Sequence, residues 1–188
     1  MRRLGNVMIA LCVAASMGCL VEAPESSPQT SQKISGGRNL VTGTPPLQLR
    51  SGAIFDDRVE VLGAKLDPGR AQPGDTVTIT AYYKVLDAIP RDYLVFVHVE
   101  DVDGRLERVN VDHAPAGGQY PTSQWKKGET VQDTFTVSVP PGQNLRGLNV
   151  WMGFWYPPDD TRMQLKNPDK VRNDGRNRIL LATLPVGY

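Results

Sequence analysis

Thr76-Val77-Thr78-Ile79-Thr80-Ala81-Tyr82-Tyr83-Lys84-Val85 alternates polar with apolar side chains and puts Val77, Ile79, Ala81, Tyr83 and Val85 in one phase. Successive side chains of an extended chain point to opposite faces, so this stretch predicts a strand with one dry side and one wet side. Thr130 to Val139 repeats the arrangement with Val131, Phe135, Val137 and Val139, and leaves Asp133 as the lone polar member of the dry face, set for a sheet edge or a loop partner. Val59 to Leu66 precedes these runs and is closed by Asp67-Pro68-Gly69, with Pro73-Gly74-Asp75 turning the chain into the quoted strand. Tyr93 to Glu100 is apolar at nearly every position, as a central strand covered on both faces should be. Asp103-Gly104 then offers a hairpin turn into Arg105 to Val111. Leu145 to Tyr156 and Arg178 to Val186 complete the set. No amphipathic helix pattern interrupts it. The pattern predicts an all-β domain, a single antiparallel β-sandwich of the immunoglobulin-like or jelly-roll kind, and does not choose between the two.

Upstream, the composition changes twice. Met1-Arg2-Arg3 leads into an apolar stretch from Leu4 to Met17 and then Gly18-Cys19, the layout of a signal peptide over residues 1–18. The apolar part falls short of the roughly 20 residues that a spanning helix needs. Ser16-Met17-Gly18-Cys19 is similar to a bacterial lipobox, with Ser16 where Leu is the usual residue, and this reading puts a lipid such as palmitate on Cys19. Ala14 and Ala15 also suit an ordinary signal peptidase, so two cleavage readings stand. Cleavage before Cys19 leaves it the one cysteine of the mature chain, since Cys12 goes with the leader, and no internal disulfide can then form. Residues 19–53 are expected to be a lipidated, disordered tether, because Val21 to Pro46 is rich in Ser, Pro, Gly, Thr and Gln and poor in large apolar residues. Roughly 30 such residues reach about 30 Å. The sandwich domain is expected over residues 54–188.

The chain has 21 basic and 20 acidic residues, and loss of Arg2 and Arg3 with the leader leaves 19 against 20. Such a balance does not favour electrostatic capture of nucleic acid or anionic lipid. Contact with a membrane is expected only through the N-terminal lipid. The chain shows no nucleophile elbow, P-loop, dinucleotide glycine fingerprint or His-Glu-x-x-His helix, and it is read as non-catalytic, without cofactor or metal. The two histidines, His98 in a strand and His113 in a loop, form a zinc site only if the fold joins them to carboxylates such as Asp112. Asp101 and Asp103 resemble the start of a calcium loop, but the later liganding Glu is missing and a tight turn accounts for them.

Two stretches stand out as candidate ligand-binding features. Asp112 to Glu129 is too long and irregular for a plain hairpin, and such loops are commonly functional or mobile. It sets Tyr120 and Trp125 beside Asp112 and His113, flat apolar faces among hydrogen-bonding groups that can grip a sugar. The alternative is that Tyr120 and Trp125 pin the loop to the sandwich. In Val150-Trp151-Met152-Gly153-Phe154-Trp155-Tyr156, Trp151, Gly153 and Trp155 share one face, and Gly153 leaves room for another backbone or a ring to come close. Trp151 and Trp155 either stack on a ligand or serve the core.

Asp92-Tyr93-Leu94-Val95-Phe96-Val97-His98-Val99, the Asp103-Gly104 turn, Pro115-Ala116-Gly117-Gly118-Gln119-Tyr120-Pro121-Thr122-Ser123-Gln124-Trp125 and Gly128-Glu129 together resemble an uncharacterised β-sandwich domain appended to some bacterial membrane glycosyltransferases of the mannosyltransferase type. The likeness runs from about Phe55 to Val186. It implies a sandwich, a setting at the cell envelope and a carbohydrate-binding module, and supplies no activity. The expected function is that of a non-catalytic envelope lipoprotein, facing the periplasm or the cell exterior, that recognises a glycan or an envelope protein. The alternative is a structural or assembly subunit of a secretion, motility or surface-polymer complex.

Overall fold

The computed structural model describes residues 34–35 and 39–187, and the fold is stated for these. The quoted stretch is a strand over its whole length, and Val77, Ile79, Ala81, Tyr83 and Val85 are all buried. In chain order the strands are β1 (Ile34–Ser35), β2 (Leu40–Val41), β3 (Leu49–Phe55), β4 (Val59–Asp67), β5 (Thr76–Val85) and β6 (Leu94–Asp101). Then come β7 (Val109–Asn110), β8 (Thr130–Ser138), β9 (Gly147–Tyr156), β10 (Thr161–Arg162) and β11 (Ile179–Pro185). Helical structure among the described residues is confined to short 3-10 turns, and no helix there is long and apolar enough to cross a membrane.

The strands form two antiparallel sheets. The first has six strands in the order β1-β2-β8-β5-β4-β3. The second has five, in the order β10-β9-β6-β7, with β11 pairing β9 ahead of β10 on the same side. Strand β5 lies beside β8 and β6 beside β9, although β5 leads directly to β6 and β8 to β9. Both of those connections cross between the sheets, so the two ladders are interlocked. This is the expected β-sandwich, closed by aromatic contacts from one layer to the other. Phe154 on β9 meets Phe55 on β3 and Tyr83 on β5 edge to face, each with ring centroids 5.4 Å apart. All three rings are fully buried, and burial of a side chain of this size contributes about 1.5–3 kcal/mol.

The described part begins earlier than the expected boundary at residue 54. That boundary falls inside β3, where Ala53 and Phe55 are fully buried. Leu40 pairs with Val131 of β8, and Val41 is buried as well. Residues 49–53 belong to the sheet and not to a tether, because β3 closes the outer side of β4. The alternation of β3 is hidden by its Arg50-Ser51-Gly52 interruption, where the register with β4 shifts. Across from it lies Gly63, at φ +147°, and a Cβ there would stand inside the Leu49 carbonyl oxygen. Only glycine fits that bulge. The turn Phe55–Arg58 that follows has Asp56 and Asp57 both at positive φ, closed by Arg58 N donating to Phe55 O at 2.9 Å. Two aspartates tolerate that conformation better than bulkier residues. The leader 1–18 and Cys19 lie outside the described residues, as does the tether up to residue 38 apart from 34–35.

Downstream the expected strands appear with one reduction. The Asp103-Gly104 turn forms, but Arg105 to Val111 yields only the short β7, paired through His98↔Asn110 and Val99↔Val109. Asp101 accepts from the backbone N–H groups of Asp103 and Arg105 at 3.2 and 3.0 Å, and Asp103 pairs with Arg105 and Arg146. Those carboxylates are occupied in closing the turn.

Candidate functional site

Alternation along the second sheet divides its residues between the core and an outer face. On β6, Val95, Val97 and Val99 enter the core, which leaves Phe96, His98 and Glu100 outside. On β9, Leu148, Val150, Met152 and Phe154 go inward, and Trp151, Gly153 and Trp155 come out opposite His98, Phe96 and Leu94. Gly153 is where the two strands need room. A Cβ there would lie 2.6 Å from both the Asn177 carbonyl oxygen and the Phe96 ring. The expectation of a close backbone or ring at Gly153 holds for both.

Phe96 and His98 form the floor of a groove of about 190 Å³ on this face. One wall comes from the chain before and after β7, where Arg108, Asn110 and Asp112 line it. The other is Trp155 with Asp160 and Arg162, brought round by the β9–β10 hairpin and its left-handed Asp160. Four of the wall residues are fixed by specific contacts. Trp155 Nε1 donates to Asp160 Oδ1 at 2.8 Å, and Asp112 Oδ1 accepts from Val97 N at 2.8 Å. The Arg162 guanidinium lies 4.3 Å over the Phe96 ring and donates to Arg176 O at 3.1 Å.

Arg178 supports the floor from the side. It is almost fully buried and donates to Glu100 Oε1 at 2.9 Å, Asp174 Oδ2 at 2.6 Å and His98 Nδ1 at 3.0 Å. Its guanidinium also lies 5.0 Å from the Trp151 ring centroid. Arginine has only donors, so His98 Nδ1 accepts and the ring proton sits on Nε2. Burial, and then the charges of Arg108 and Arg178, hold the His98 pKa below the usual histidine value and keep the ring neutral.

The long loop resolves into two 3-10 turns, Pro115–Gly118 and Thr122–Gln124, folded against the sandwich. Tyr120 and Trp125 are 1% and 3% exposed. The Trp125 ring stacks on Tyr83 with centroids 5.8 Å apart, and its Nε1 donates to Tyr120 O at 2.9 Å. Both are buried and pin the loop, which is the alternative raised from the sequence. Thr122 Oγ1 adds a staple to the start of β6, accepting from Tyr93 N at 2.8 Å and donating to Arg91 O at 2.7 Å.

His113 also turns inward. Its Nε2 lies 2.9 Å from Asp133 Oδ2 and its Nδ1 2.8 Å from Val111 O. Asp133, fully buried, also accepts from Tyr83 Oη at 3.1 Å and Ala116 N at 3.0 Å. Asp133 thus has the loop partner expected of a polar residue on a dry face. Burial lowers the His113 pKa, but the bond and charge of Asp133 outweigh it and the net shift is upward. With both ring nitrogens engaged, His113 anchors the loop to the sandwich.

Of the residues singled out in the sequence, the fold brings Asp112 and Trp155 together in the groove, with Trp151 at its side. Tyr120 and Trp125 are separated from them, and His113, next to Asp112 in the chain, turns its ring to Asp133. Residues not foreseen for the groove are Phe96, His98, Arg108, Asn110, Asp160 and Arg162. The one available signal was the histidine inside the apolar β6 run, opposite Trp151. His98 and His113 point to different environments, and among the described residues no group of three or more His, Cys, Asp or Glu side chains is placed to hold a metal ion.

No protein-family model matches the chain. No curated protein matches it either. Among solved structures, the chain is similar to the crystal structure of the C-terminal domain of wzt, at 12% identity and a TM-score of 0.47, over 77% of this chain and 83% of that one.

Proposed function

We infer that this chain is a non-catalytic lipoprotein of the bacterial cell envelope, anchored by a lipid on Cys19, whose sandwich recognises a glycan. The observation that supports the reading is the groove on the outer face of the second sheet. There an indole with its nitrogen tied to Asp160 is set among rigid donors and acceptors. Aromatic carbon surface beside fixed hydrogen-bonding groups suits a sugar ring, which has apolar C–H faces and a polar rim. Among the described residues His98 is bonded to a guanidinium and His113 to a buried carboxylate. In this reading the site binds its ligand without transforming it.

Calorimetric titration of the purified protein against a broad glycan set tests this. Binding is expected in wild type and lost in Trp155→Ala, whose side chain lies outside the core. Absence of binding by a folded wild-type protein, or full retention by Trp155→Ala, refutes the groove as the site.

A further inference from the structure

The groove is small and its lining is balanced. Sites that engulf a whole small molecule run to roughly 300–1,000 Å³. At about 190 Å³ this one has room for a single sugar ring and not for a length of polymer. Its lining has two arginines, Arg108 and Arg162, and two aspartates, Asp112 and Asp160, so the formal charges cancel. Neither arginine forms an ion pair among the described residues. Each aspartate has one oxygen committed, Asp112 Oδ1 to Val97 N and Asp160 Oδ1 to Trp155 Nε1. The other oxygen of each, Oδ2, has no partner among the described residues.

His98 adds an independent observation. The residue is 5% exposed, its Nδ1 is occupied by Arg178, and its remaining Nε2–H has no partner among the described residues while the ring lines the groove floor. That N–H opens onto the groove and is available to donate to an acceptor that enters it. An anionic ligand would need donors alone and would meet the free oxygens of Asp112 and Asp160. A cation would need acceptors alone and would meet the two arginines and the His98 N–H. A hydroxyl group both donates and accepts, and a ring bearing several of them matches the mixture.

We propose that the groove takes one neutral, hydroxyl-rich sugar residue, oriented by the His98 Nε2–H donating to a sugar oxygen while Asp112 and Asp160 accept from sugar hydroxyls. This rests on the glycan reading and narrows it to uncharged single residues, such as the end of a chain or a side branch. Arg108 and Arg162 then donate to further ring oxygens. Trp155, with its N–H already committed, contributes carbon surface.

The test is calorimetric titration of the purified protein with methyl glycosides of the neutral hexoses and N-acetylhexosamines, in parallel with the matched hexuronates, at low and high salt. It is coupled to proton–nitrogen spectra of the histidine rings. Neutral glycosides are expected to bind with little dependence on salt, the uronates no better, and the His98 Nε2–H resonance to shift on saturation. His98→Phe should weaken binding about tenfold, the worth of one hydrogen bond of about 1.4 kcal/mol, and His98→Gln, which offers one acceptor and one donor, should recover most of it. Tighter, salt-sensitive binding of uronates overturns the neutral assignment and leaves the glycan reading standing. An unmoved Nε2–H resonance under saturating neutral sugar removes His98 from the contact, whether or not its variants fold. No binding by any glycoside or polymer overturns the glycan reading itself.

Discussion

Replacing Trp125 separates a pin from a contact. The indole is 3% exposed, stacks on Tyr83, meets Phe154 edge to face at 6.5 Å and donates to Tyr120 O. Trp125→Ala removes all of these and leaves a void under the Asp112 to Glu129 loop, a change that costs about 3–5 kcal/mol. Against a total stability of about 5–15 kcal/mol this is a large share. For a domain of this size it lowers Tm by about 6–20 °C, at about 2–4 °C per kcal/mol. Trp125→Phe keeps an aromatic ring against Tyr83 and loses the N–H bond to the Tyr120 carbonyl, at a cost of about 0.5–1.5 kcal/mol. Urea titration followed by far-ultraviolet circular dichroism measures both variants, with glycan affinity measured on whatever remains folded. Stability is expected to fall in the order wild type, Phe, Ala, with unchanged affinity for the Phe variant. If Trp125→Ala stays within about 1 kcal/mol of wild type while binding disappears, the indole faces the ligand and the buried assignment fails.

The other expectations concern pH, the groove floor and the anchor. His113 has a folded pKa above the about 6.5 of an unfolded histidine, so its stabilising contribution is complete below that value and is lost as pH rises through the folded pKa. His98 is shifted the other way, so its contribution is present above the unfolded value and fades as pH falls through the folded pKa. The stability of wild type minus that of His113→Gln should therefore fall with rising pH in urea titrations; a difference that grows with pH refutes the Asp133 anchor. Gly153→Ala forces a methyl group into Phe96 and the Asn177 carbonyl, with an expected loss of about 1–3 kcal/mol and weakened glycan binding, and an unchanged melting curve would contradict the close packing. Cys19→Ala should release the protein from the membrane fraction with its circular dichroism spectrum intact; continued retention would remove the lipid anchor.

The parts of the fold legible in sequence were those where one periodicity governed the chain. Strands β5 and β8 show alternation because one face is dry and the other wet, and the dry phase read from them is the phase that is buried. Strand β6 was read as covered on both faces, and it is, by the core on one side and by Trp151, Arg162 and Arg178 on the other. Strand β3 was not legible because the Ser51-Gly52 irregularity, which accommodates Gly63 across the ladder, breaks its phase. For Arg105 to Val111, the Asp103-Gly104 turn suggested a longer strand than the two residues of β7, and beyond it Asp112 gives Val97 N a side-chain acceptor in place of a backbone one. The groove was half legible. Its aromatic side follows from the alternation of β9, but Arg108, Asp160 and Arg162 arrive from loops and from the two-residue β10, whose direction no periodicity encodes.

The interlocked ladders bear on when folding can occur. Strand β5 has to wait for β8, and β6 for β9, so the first central pairing needs the chain as far as Ser138 and the second as far as Tyr156. Early hairpins such as β3–β4 and β4–β5 can form locally, but the core between the layers has no second wall before then. Pairings between segments far apart in sequence require loop closure before any burial compensates it, and they assemble slowly. A polypeptide threaded amino end first through an export channel would thus stay pliable until most of its length had emerged. Were the chain exported as proposed, this topology would suit it to unfolded translocation, with its core closing on the far side.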